Sequence, residues 1–171
     1  MEQNTNSATV LHYLVTALFI ILLSVIQSTV LRGIQIFHVI PNLLLITTVC
    51  YGLTHGSFRG FFVGILCGLL LDLFSGRAIG MNTLLFALIA YFCIFISGNL
   101  FSNNTYVCMV FVLFLTISYE LLTYIFYFAI WKQGALGFAI FSKILPSAIY
   151  NFLFTIVLYP LVKRVTSIGI Y

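Results

Sequence analysis

Residues 56–82 read GSFRGFFVGILCGLLLDLFSGRAIGMN. Seven positions in this stretch, each four residues after the last, are Gly56, Gly60, Gly64, Gly68, Asp72, Gly76 and Gly80. In lipid, helices are not driven together by the hydrophobic effect, and small residues at one face let two backbones approach closely. Four residues exceed a 3.6-residue turn, so the glycine line drifts about 40° per step around the helix. Such a stripe suits a right-handed crossing or contact with two successive neighbours. It serves packing, either within the chain or against another protein. The acid that interrupts the series follows Leu69, Leu70 and Leu71, where an unpaired charge is expensive.

Outward from this stretch the chain is almost wholly apolar. Of its 171 residues 63% are hydrophobic and 6% charged, with a mean hydropathy of +1.20. Soluble domains carry about 25% charged residues, so the bilayer is the expected solvent. A helical span needs about 20 apolar residues, which gives an all-α polytopic membrane protein. About six transmembrane helices form one compact bundle, a single domain over residues 1–171.

The apolar runs place the spans at residues 10–31, at 41–53, at 58–74, from Asn82 to about 96, at 106–131 and at 144–162. Residues 1–9 are polar and hold no lysine or arginine, unlike the basic start of a cleaved signal peptide, so the first span is read as retained. Ser24, Gln27 and Ser28 lie in its second half and are expected to face other helices. The second span is short: from Pro41, placed in a first helical turn where its missing N–H costs nothing, it covers about 20 Å. Either it is tucked among its neighbours, or it begins near Ile34 and kinks at Pro41. Residues 75–80 form a tight turn, after which the Asn82 side chain caps the next helix. Residues 97–105 read as a polar turn. Pro146 falls in the first turn of the last span and Pro160 near its end.

The net charge is +4, from basic residues at the ends of apolar runs. This is how lysine and arginine anchor spans at an interface, and it does not make the clustered patch of a nucleic-acid binder. With both termini inside, Arg59, Lys163 and Arg164 are inner, and Arg32, Arg77, Lys132 and Lys143 outer. Three against four does not decide the orientation by the positive-inside rule. The doublet Lys163–Arg164 after the last span favours cytoplasmic termini.

Little in the chain suggests a reaction. Cys50, Cys67, Cys93 and Cys108 form no C-x-x-C pair and read as small buried hydrophobes. His12, His38 and His55 lack metal-ligand spacing, and no serine stands in a nucleophile-elbow setting. The expectation is therefore no enzyme, cofactor or metal. Two acids remain. Asp72, near the end of its span, is either a buried acid for partner contact or ion handling, or a carboxylate that pairs with Arg77 or caps local backbone donors. Glu120 lies near mid-span with no basic residue close in sequence, so it is expected to be protonated or hydrogen-bonded inside the bundle. Thr116, Thr123 and Tyr124 share its helix face, and Tyr119 points elsewhere.

Several blocks together carry a family resemblance. P-N-L-L-L begins at Pro41. L-L-L-D-L-F-S-G spans residues 69–76, and I-G-M-N ends at Asn82. L-P-S-A-I-Y-N, with Pro146 and Asn151, leads to Y-P-L-V-K-R with Pro160. In this order the chain resembles MreD, the small membrane component of the bacterial rod-shape, or cell-wall elongation, system. Relatives often carry an aspartate after the first proline, where this chain has Asn42, a departure that speaks against an ionic role there. The resemblance implies a non-enzymatic scaffold of the cytoplasmic (inner) membrane. Its partners would be MreC, the actin-like MreB and the RodA–transpeptidase pair, in support of peptidoglycan synthesis. It also implies a likeness to the six-helix substrate-binding subunits of energy-coupling-factor vitamin transporters. The competing reading is such a small-solute binding subunit, which needs a polar cavity at mid-depth that Glu120, Asn151 and Gln27 can supply. The residues expected to matter for packing or partner binding are Gly60, Gly64, Gly68, Asp72, Gly76, Gly80, Asn82, Glu120, Pro146, Asn151 and Pro160.

Overall fold

The computed structural model describes residues 2–34, 39–55, 58–75, 80–100, 104–131 and 143–167. Their elements are α1 (Glu2–Thr29), a 3-10 turn (Leu31–Ile34), α2 (Leu43–His55), α3 (Phe58–Ser75), α4 (Met81–Leu100), α5 (Thr105–Trp131) and α6 (Leu145–Ser167). Four of these, α1, α3, α5 and α6, are long and apolar enough to cross a membrane. The apolar stretches Leu43–Thr54 and Met81–Ser97 of α2 and α4 are shorter.

The 13-residue α2 is the centre of the bundle and packs on all the other helices. Leu43, Leu44, Leu45, Ile46, Val49 and Cys50 are buried on every side of it, as expected of a helix that is apolar all round. It is the short, tucked alternative, because residues 40–42 are not helical and no continuous helix runs from Ile34 through Pro41. Pro41 thus lies ahead of the helix rather than in its first turn. Asn42 is the N-cap, its Oδ1 accepting the Leu45 N–H at 3.1 Å. In contrast, α1 and α3 each turn a file of large apolar side chains outward, Leu14, Leu18 and Leu22 on one and Phe62, Leu69 and Leu73 on the other. That is the surface a bilayer covers.

Three helix limits differ from the sequence expectation. The first helix begins at Glu2, well before residue 10. The expected turn at 97–105 is entered by α4, which continues to Leu100; the Ser97 hydroxyl donates back to the Ile94 carbonyl at 2.9 Å and so stays inside the helix. Pro160 is interior rather than near-terminal, since α6 runs on to Ser167. Transmembrane helices tolerate proline because neighbouring groups re-satisfy the freed carbonyl. Pro146 does fall in the first turn of α6.

The glycine stripe joins α3 to two neighbours in succession. A Cβ at Gly60 would stand 3.1 Å from the Cα of Gly52 on α2. At Gly64 it would stand 2.6 Å from the Ala90 Cβ on α4, and at Gly68 2.5 Å from the Cα of Thr83 at the start of α4. The second and third positions leave no room for any side chain. The drift of the stripe therefore carries α3 from α2 onto α4, the pair of helices in most extensive contact. Gly52, four residues before Gly56, continues the series by one step and belongs to the same system, since a Cβ there would meet the Cys93 Cβ at 2.8 Å. Gly56, Gly76 and Arg77 lie outside the described residues.

Candidate functional site: buried polar clusters at one end of the bundle

Helices α1, α3 and α5 end, and α2, α4 and α6 begin, at the same end of the bundle, so the polar helix termini converge there. Asp72 is the first cluster. It is 2% exposed, and its carboxylate is met by donors. Its Oδ2 accepts the Gly80 N–H at 3.0 Å, the Thr83 N–H at 2.9 Å and the Thr83 hydroxyl at 2.6 Å. Its Oδ1 accepts the Asn82 N–H at 3.1 Å and the Asn82 Nδ2 at 2.9 Å. The first helical bond of α4 runs from the Leu84 N–H to the Gly80 carbonyl, which makes Gly80 the N-cap. The orphan N–H groups of a helix start are thus satisfied by a carboxylate from the preceding helix, placed where the helix dipole favours an anion.

This corrects the reading of Asn82 as the capping side chain. Asn82 lies inside the first turn of α4, and its amide is a spacer between helices. Nδ2 donates to Asp72, while Oδ1 accepts the Tyr119 hydroxyl at 2.6 Å. Tyr119, which spacing places off the Glu120 face, therefore ties α5 to the α3–α4 junction. Gly80 has φ +96, a left-handed conformation that side-chain-bearing residues rarely adopt. Of the alternatives for Asp72, the geometry is that of capping local backbone donors.

Asn151 anchors the second cluster. It is 1% exposed, and its Oδ1 accepts the Asn42 N–H at 2.8 Å while its Nδ2 donates to the Thr116 hydroxyl at 3.1 Å. One amide thereby fastens α6 to α5 and to the start of α2. Gln27 of α1 adds to the same helix start, its Oε1 accepting the Leu44 N–H at 3.2 Å. Its Nε2 stands 3.5 Å from the Asn42 Oδ1.

Glu120 is 12% exposed, and its Oε2 lies 3.0 Å from the Lys143 Nζ. The sequence expectation for Glu120 is a carboxyl protonated or hydrogen-bonded inside the bundle, and the structure gives it an ion pair instead: Lys143 is 23 residues away in sequence, but the approach of α6 to α5 brings it alongside. Gln27, Asn42, Asn82, Tyr119, Glu120, Thr123 and Lys143 line a polar cavity of about 290 Å³. The competing reading needs a polar cavity at mid-depth, from Glu120, Asn151 and Gln27. The cavity found lies around Glu120 and Gln27 among the helix termini at one end of the bundle, and Asn151 reaches its wall through Asn42.

The opposite end is plainer. His12 Nε2 and the Tyr51 hydroxyl are 3.1 Å apart, joining α1 to α2, and the Arg59 guanidinium stands 5.9 Å from the Tyr13 ring centroid. All four cysteines are buried and form no disulfide, with the sulfurs of Cys50 and Cys108 at 3.1 Å. Among the described residues no three His, Cys, Asp or Glu side chains gather as a metal site. His38 lies outside the described residues.

The fold and these clusters define an integral membrane protein made of apolar helices, in which Asp72, Asn82, Asn151 and Gln27 are spent on helix starts and helix–helix contacts. A family model, rod shape-determining protein MreD, matches residues 7–166. The match spans nearly the whole chain, and the chain belongs to the MreD family. No curated protein and no solved structure matches it.

Proposed function

We propose that the protein is a non-enzymatic scaffold of the bacterial cell-wall elongation machinery. It crosses the cytoplasmic membrane six times with both termini inside, binds MreC through its exposed helix faces, and so supports peptidoglycan synthesis by the MreB-associated RodA–transpeptidase pair. Family membership carries this reading. The use of the polar groups supports it: Asp72 and Asn151 are engaged in capping and bridging, roles that hold a platform rigid rather than move protons or attack a bond. The apolar files of α1 and α3 offer long surfaces on which a partner's transmembrane helix can lie.

Depletion of the gene in its own bacterium, with complementation, tests the reading. Rounded, bulging cells that regain rod shape on complementation, together with co-purification of MreC in detergent, are expected. Normal rods accompanied by a vitamin requirement would instead favour the transporter-subunit alternative.

A further inference from the structure

The polar cavity has features that capping does not use. Among the described residues its charged walls are one carboxylate and one ammonium, Glu120 and Lys143. Their mutual contact engages one of two carboxylate oxygens and one of three ammonium donors. Thr123, which also lines the cavity, is 6% exposed, and its hydroxyl has no hydrogen-bond partner among the described residues. A buried hydroxyl left unpaired is costly. Here it stands beside a charge pair with spare capacity.

The cavity also has a less polar annex. A second cavity of about 160 Å³ shares Gln27, Ile40, Leu71 and Ser75 with the first and adds Ser24, Ser28, Leu44 and Phe74. Phe74 is 45% exposed on the outward face of α3. The two cavities therefore share a wall, and the outer one reaches Phe74 on the outward face of α3. An amphiphile with its head in the charged chamber can lay the start of its chain along Leu71, Leu44 and Phe74.

We propose that this chamber binds the zwitterionic head of an amphiphile, with an ammonium against Glu120, a phosphate or carboxylate against Lys143, and the chain leaving past Leu71 and Phe74. The balance of charge selects the class. A purely anionic head meets Glu120 as well as Lys143, and a purely cationic one meets Lys143, whereas a zwitterion completes a four-charge array. The same head chemistry occurs in aminophospholipids and in small soluble phosphoethanolamine compounds, so the test separates the two sources.

The full chain, purified and delipidated in detergent, is titrated with phosphatidylethanolamine, phosphatidylglycerol and soluble glycerophosphoethanolamine, and bound species are read by native mass spectrometry. Phosphatidylethanolamine is expected to bind about tenfold more tightly than phosphatidylglycerol, a difference of roughly 1.4 kcal/mol. Competition by glycerophosphoethanolamine would assign the affinity to the head alone, and its failure to compete would assign it to the intact lipid. Glu120→Gln should erase the preference, whereas Lys143→Gln should weaken binding of both lipids and leave phosphatidylethanolamine preferred. Thr123→Val guards against misfolding, because its hydroxyl has no protein partner to lose among the described residues; it should weaken binding several-fold with an unchanged unfolding temperature. Equal binding of the two lipids by the natural protein, no zwitterion bound at all, or a preference intact in Glu120→Gln would overturn the proposal.

Discussion

Asp72 and Thr83 meet twice through one carboxylate oxygen, which accepts the Thr83 N–H at 2.9 Å and its hydroxyl at 2.6 Å. One turn of α3 earlier, Gly68 lies against the same residue, so close that a Cβ would stand 2.5 Å from the Thr83 Cα. The missing side chain and the buried charge are two halves of one junction. Glycine lets the start of α4 close on α3, and the acid then satisfies the donors that this approach removes from water.

Gly68→Ala should therefore be destabilising by itself, because the contact is backbone and cannot swing aside. Gly64→Ala should also destabilise, though the Ala90 Cβ it meets belongs to a small side chain. Gly33→Ala is the control, with nothing within 4 Å of the added atom. Thermal unfolding in detergent should show losses at positions 64 and 68 and none at 33. Gly64→Leu with Gly68→Leu should prevent accumulation in the membrane. Normal accumulation and cell shape in that double variant would contradict internal packing.

Asn151→Leu should cost about 2–3 kcal/mol, since it strands the Asn42 N–H at the start of the central helix and removes the partner of the Thr116 hydroxyl. Asn151→Asp keeps the acceptor for Asn42 but loses the donor to Thr116 and places a carboxylate at a site 1% exposed, so it should also destabilise. Chemical unfolding of the purified variants checks both. Unchanged stability of Asn151→Leu would show that Asn151 does not secure the start of α2.

The Glu120–Lys143 pair should respond asymmetrically. Lys143 is 57% exposed and can be resolvated when alone, whereas Glu120 is 12% exposed and cannot. Lys143→Gln should lower the unfolding temperature more than Glu120→Gln, and the double variant should recover part of the loss. Glu120→Gln should be tolerated and Glu120→Leu not, because glutamine keeps a hydrogen-bonding head of similar volume. Equal losses with Gln and Leu would mean that the negative charge itself is required.

Much of the fold is legible in the sequence because apolar run length and breakers report helices directly. The third apolar run covers 58–74 and the helix is Phe58–Ser75, and the spacing of Gly60, Gly64 and Gly68 announces a close approach. What stays hidden depends on contacts remote in sequence. Capping of local backbone donors is one of the readings the sequence offers for Asp72. That these donors are the start of α4, with Asn82 10 residues on, follows only from the fold, because a capping rule looks at the helix's own first residues. The N–H of Asn42 is bonded 109 residues away. Lys143 reads as an interfacial anchor and Glu120 as isolated, because only the folding of α6 against α5 brings them together. Pro160 misleads for a different reason: in water it ends a helix, and within a packed membrane bundle the helix persists.

Topology has its own check. Reporter fusions at Thr5 and Ile168 should report one compartment if all six helices cross. Opposite compartments would identify a helix that does not span, and the short α2 is the first candidate.

Whether Asp72 secures the fold is read from the unfolding temperature of purified Asp72→Asn with no partner present. Asparagine turns one of two acceptor oxygens into a donor facing N–H and O–H groups. A loss of about 2 kcal/mol, or roughly 5 °C for a chain of this length, is predicted for the isolated protein. An unchanged unfolding temperature, with MreC capture or rod shape lost in cells, would contradict the capping role and make Asp72 a partner-contact residue instead.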